Sequence, residues 1–107
     1  MATLDQMREA LKEIYDPEIP INIVDLGLVY RIEQTEPGKV LVQFTLTNPM
    51  CPIGEHLSAE ICRVIGRLEG VAEVRTQMVW DPIWTREKMT HEGKLQASLL
   101  GFGGPGT

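Results

Sequence analysis

Two stretches of alternating apolar and polar residues, separated by Glu36-Pro37-Gly38-Lys39, constrain this chain more than anything else in it. From Leu28 to Thr35, Leu28, Tyr30 and Ile32 fall on one face. From Val40 to Thr47, Val40, Val42, Phe44 and Leu46 point one way, and Gln43, Thr45 and Thr47 the other. A period of two is that of a half-buried strand, and a short Pro-Gly turn between two such runs predicts a β-hairpin. The period then changes. Ile53, Leu57, Ile61, Val64, Ile65 and Leu68 trace a helical stripe that ends near Gly70, and Val71 to Trp80 reads as a third strand, with Ala72, Val74, Met78 and Trp80 on one side. A strand–helix–strand passage within one sheet is a right-handed crossover, so the second and third strands should run parallel.

The flanks complete a small α/β (α+β) domain of order α-β-β-α-β-α, with a mixed three-stranded sheet. Thr3 and Gln6 form a capping box, and Leu4, Met7, Leu11 and Ile14 give the first helix one apolar face through about Ile14. Asp16-Pro17 stops it. Residues 16–27 hold two prolines, three acids and Gly27, which predicts an irregular connection. After Asp81-Pro82-Ile83-Trp84, a short helix is expected around Thr85 to Met89 and another segment from Thr90 to Leu100. At 107 residues this is one domain, read as 1–100 with a Gly-rich flexible tail at 101–107.

This topology places three irregular segments on one sheet edge: 16–27, 47–52 and 81–84. Sites in open α/β sheets lie outside the carboxyl ends of parallel strands. Cys51 falls there, followed by Pro52, which suits a first helical position. A helix start favours a thiolate through its unpaired N–H groups and dipole. Two readings are open for Cys51: a functional thiol, or a small half-buried packing residue. Cys62 lies beside the apolar stripe and reads as packing. It stands about three turns from Cys51 along one helix, which argues against a disulfide. Asp16, Glu18 and Asp25 are either plain loop carboxylates or hard ligands and proton acceptors beside a soft thiolate. Trp80 reads as core or rim packing, while Trp84 could also wall the thiol. His56 faces away from a site at the helix start, and Met50, Met78 and Met89 read as gap-fillers.

Charge and composition narrow the functions. The net charge of −5 lacks the basic footprint of a nucleic-acid binder. No apolar run is long enough to span a bilayer and no secretory signal is visible, so a cytoplasmic protein is expected. Two cysteines are too few for a disulfide scaffold. No second thiol stands in a Cys-x-x-Cys arrangement and no histidine neighbours Cys51, which counts against a thiol enzyme.

In order, Asp16-Pro17-Glu18-Ile19-Pro20, Asp25-Leu26-Gly27-Leu28-Val29, Thr45-x-Thr47 with Cys51-Pro52, and Trp80-x-Pro82-x-Trp84 resemble the iron–sulfur cluster assembly family that includes SufT, PaaD and the eukaryotic cytosolic iron–sulfur targeting factor. The resemblance spans roughly residues 4–100. It implies a non-enzymatic role in maturing iron–sulfur or related metalloproteins. Cys51 would be the leading functional residue and the metal ligand, with Asp16, Glu18, Asp25, Thr45 and Thr47 around it and Trp84 at the same site. The cargo would be transient iron or an iron–sulfur cluster, with no organic cofactor. Partners would be client and carrier or scaffold proteins, with a homodimer able to complete the ligand set, and neither nucleic acid nor membrane. PaaD-type members carry extra cysteines toward the C-terminus. This chain has none after Cys62, which favours the SufT-like branch. An adaptor without metal binding and a thiol-dependent enzyme are the competing functions.

Overall fold

The structure is a computed structural model that describes residues 2–17, 19–47 and 53–101. Glu18, Cys51, Pro52, Met50 and tail residues 102–107 lie outside the described residues.

Helix α1 (Leu4–Leu11) opens on the expected capping box. The Gln6 amide donates to Thr3 Oγ1 (3.1 Å), and the Thr3 amide donates to Gln6 Oε1 (2.8 Å). It ends sooner than its apolar stripe predicts. Glu13 and Ile14 N–H groups donate three residues back, to Ala10 and Leu11, so a tighter turn still delivers Ile14 to the core.

Strands β1 (Val29–Glu36) and β2 (Lys39–Phe44) form the hairpin, antiparallel as the pattern predicts, with Gly38 at φ 81° in the turn. The facing of β1 differs from the simple alternation. Val29 pairs with Phe44 but Arg31 with Gln43, so Tyr30 is an extra residue in the strand. This bulge hands the inward position from Tyr30 to Val29, and Tyr30 instead donates its hydroxyl to the Pro82 carbonyl (2.8 Å).

Helix α2 (Gly54–Gly66) starts after Ile53, so Gly54 and not Pro52 takes the first helical position, and it ends four residues short of Gly70. Strand β3 (Glu73–Met78) pairs parallel to β2, Lys39 opposite Glu73 through Phe44 opposite Met78. The sheet order is β1-β2-β3. A single 3₁₀ turn at Arg86–Lys88 and helix α3 (His91–Leu100) close the chain.

Val40, Val42 and Phe44 project from β2 toward Met7 and Leu11 of α1 and Leu57, Ile61 and Ile65 of α2, all buried in one core. The other sheet face is polar, with Gln43 donating to Gln77 across β2 and β3 (2.9 Å). α2 meets β3 through a Ser58–Thr76 hydroxyl pair and the half-buried Cys62, whose thiol lies 3.8 Å from the Val74 carbonyl. Of the expected apolar side of β3, Val74 is half-buried against the core, while Ala72, Met78 and Trp80 are exposed. Met89, by contrast, is buried in the core.

Candidate functional site

Pairing fixes one end of the sheet as the meeting place. Val29, Phe44 and Met78 stand in one row across the three strands, so the start of β1 and the ends of β2 and β3 share an edge. Backbone bonds extend that row into the loop after α1. The Thr45 amide donates to Leu28 O (2.8 Å), the Leu28 amide to Ile23 O (3.0 Å), and the Ile23 amide to Ile14 O (2.9 Å). Loop 14–28 is thereby tied against the end of β2, as the topology predicts.

β2 stops at Phe44, so Thr45 and Thr47 follow the strand rather than belong to it. Thr45 is fully buried, and its hydroxyl has no hydrogen-bond partner among the described residues. Burial of an unpaired hydroxyl costs about 1–3 kcal/mol, so its retention calls for a reason. Thr47 is half-buried, and Cys51 follows four residues later in sequence.

Asp16 is 2% exposed. Its Oδ1 accepts the Ile19 amide (3.1 Å), and its own amide donates to Ile21 O (3.2 Å), which folds the Asp16-Pro17 turn back on itself. The buried carboxylate of Asp25 accepts on both oxygens: Oδ2 from Asn22 Nδ2 (2.7 Å) and Oδ1 from the Thr90 hydroxyl (2.8 Å). Asn22 Oδ1 in turn accepts the Val24 and Asp25 amides. Thr90 caps α3 through the Gly93 amide (3.0 Å). Trp84 is half-buried, and its indole N–H donates to Leu26 O (2.7 Å).

The proposed set therefore divides. Thr45, Thr47 and Asp16 belong to the β2 end and the loop tied to it. Asp25 and Trp84 join that loop to the arm that carries α3. Asn22 and Thr90 complete the Asp25 network and were not singled out from the sequence. Asn22-x-x-Asp25 is a local turn signal that could have pointed to the first, whereas Thr90 lies 65 residues from Asp25 and carries no such sign. His56 is exposed on α2, as expected. Among the described residues, no cluster of three or more His, Cys, Asp or Glu side chains forms a metal site, and no helix is long and apolar enough to cross a membrane.

The sequence pattern of the iron–sulfur cluster assembly protein family matches residues 4–76. An iron–sulfur protein maturation auxiliary factor of Porphyromonas gingivalis is 32% identical over 94% of this chain and 95% of its own length. The corresponding auxiliary factor of Bacillus subtilis is 34% identical over 92% and 96%. Among solved structures, a domain of unknown function from Bacillus anthracis superposes with a TM-score of 0.81 at 28% identity, covering 91% of this chain and 90% of that one. A conserved hypothetical protein from Thermotoga maritima gives 0.75 at 34% identity, over 94% and 95%. Sequence match and fold agree over most of the chain: the protein belongs to the iron–sulfur cluster assembly protein family.

Proposed function

We propose that this protein is a cytoplasmic, SufT-like iron–sulfur cluster assembly or maturation factor that helps deliver or insert clusters into client proteins. Family membership along residues 4–76 is the observation that carries the reading. In it Cys51 supplies a soft thiolate to iron or a cluster held as transient cargo. Clusters are ordinarily held by four cysteines, so a client, a carrier or a second copy of the chain supplies the remaining ligands. Thr45 and Thr47 follow the end of β2 at this edge, and the buried Thr45 hydroxyl, without a hydrogen-bond partner among the described residues, is a donor to a cargo sulfur or a ligand carboxylate once the edge opens. Asp16, with Glu18 two residues on in the sequence, supplies the negative charge of the site. Asp25 and Trp84 act as positioning residues, since their polar atoms hold loop 14–28 to the α3 arm. The protein hands over cargo and performs no turnover chemistry of its own.

Anaerobic reconstitution with iron and sulfide tests this, read by visible absorbance and by activation of an apo-client. Wild type should take up or transfer the cluster, and Cys51→Ala should lose both. Absence of uptake and transfer in wild type, alone and with the client, removes the metal-handling role. The adaptor reading draws support from Asp25, whose two oxygens are already committed within the fold. Under it, Cys51→Ser keeps both its bound partners and its activity in cells.

A further inference from the structure

Seven of the ten basic residues stand in ion pairs with glutamates spread over the surface. Arg8 and Lys88 do not: neither has a carboxylate in salt-bridge reach among the described residues. Both line the same cleft, of about 430 Å³, between α1, the start of β1 and the C-terminal arm. Val24, Gly27, Val29, Tyr30, Pro82 and Thr90 form the rest of its walls, and among the described residues no acid lines it. In a chain of net charge −5, two unpaired cations facing one cleft make a local site for negative charge.

Several other donors around the cleft are already used. The Tyr30 hydroxyl donates to Pro82 O, the Thr90 hydroxyl to Asp25 Oδ1, and the Thr90 amide to Asp25 O. The Gly27 amide donates to Val24 O, and the Lys88 amide to Thr85 O. A compact anion such as phosphate is normally held by a cradle of converging N–H and O–H groups, and the hydroxyls of Tyr30 and Thr90 and the amides of Gly27, Lys88 and Thr90 are not free to build one. What remains is two cations, one from α1 and one from the C-terminal arm, lining one cleft with the Tyr30 ring. Lys88 Nζ lies 5.3 Å from the Tyr30 ring centroid, which fixes its side chain over the ring. The cleft also opens beside β1, an outer strand of the sheet.

We propose that this cleft binds an acidic peptide segment of a protein partner, with two carboxylate side chains reaching Arg8 and Lys88 and an apolar stem lying against Tyr30. The proposal does not depend on cluster handling.

A short fluorescein-labelled peptide of alternating Glu and Ala, followed by anisotropy at low ionic strength, tests the proposal. Wild type and Cys51→Ala should bind alike. Arg8→Gln with Lys88→Gln should weaken binding about tenfold or more, and Lys88→Met, which keeps an apolar stem over Tyr30, should weaken it through charge alone. Arg67→Gln with Arg75→Gln makes the same change in net charge elsewhere on the surface and should leave binding intact. Unlabelled peptide should displace the probe where equimolar inorganic phosphate does not. Three results overturn the proposal: no binding by a folded wild type, an equal loss in the Arg67/Arg75 variant, or displacement by phosphate as effective as by peptide.

Discussion

Thr45 separates stability from function more cleanly than any other side chain in the site. Its hydroxyl is buried and has no partner among the described residues, so Thr45→Val replaces a polar group by a methyl of nearly the same shape. The folded state should gain about 1 kcal/mol, read as a higher midpoint in denaturant. If the hydroxyl serves the cargo, cluster transfer should fall while stability rises. A purely structural threonine would leave transfer unchanged. Gly93 makes the opposite test. A Cβ there would stand 2.1 Å from the Asp25 carbonyl oxygen, a backbone atom that cannot swing aside. Gly93→Ala should therefore push α3 off loop 14–28 and cost about 2–4 kcal/mol. At Gly66, within α2, an added Cβ meets nothing within 4 Å, so Gly66→Ala should raise stability by about 0.4–1 kcal/mol. Equal denaturant midpoints for the two alanine variants would show that α3 does not seat as described.

The elements owe their existence to local signals, and those signals can be tested one at a time. Thr3→Ala removes the side chain that accepts the Gln6 amide and should cost about 1 kcal/mol in chemical denaturation. Gln6→Ala should cost less, because the Thr3 amide that it leaves is exposed to water. Local pattern also explains what could be read in advance. The hairpin, the parallel crossover and the shared edge all follow from periods of 2 and 3.6 together with one handedness rule, and the strand pairing bears them out. The Tyr30 bulge was not legible, because alternation within one strand cannot show where its partner skips a residue. Nor was the start of α2. Proline at a first helical position is a tendency, and the helix begins instead at Gly54. At the site, the grouping of the Asp16 loop with Thr45 followed from topology alone. The engagement of both Asp25 oxygens did not, since Thr90 reaches that carboxylate from the far end of the chain.

At the scale of the molecule, the chain is one core with an arm laid against it. Sheet, α1 and α2 share the buried cluster, while the arm from Trp80 to Gly101 contributes Met89 and Ala97 to it and leaves Ile83, Leu95, Leu99 and Leu100 exposed. Its attachment relies on polar staples: Trp84 to Leu26 O, Tyr30 to Pro82 O, and Asp25 to Thr90. Regions with few buried apolar contacts open below the free energy of global unfolding. Amides of α3 should therefore exchange with solvent faster than those of β2 and α2 under native conditions. Trp84→Phe keeps most of the ring and deletes the 2.7 Å bond to Leu26 O. Loss of one such bond is worth about 1 kcal/mol, so α3 amides should exchange about fivefold faster while β2 amides keep their wild-type rates. Acceleration of both sets by the same factor would mean that arm and core unfold together. The staples would then belong to a single cooperative unit, and loop 14–28 could not be released from the arm without unfolding the sheet that carries Thr45.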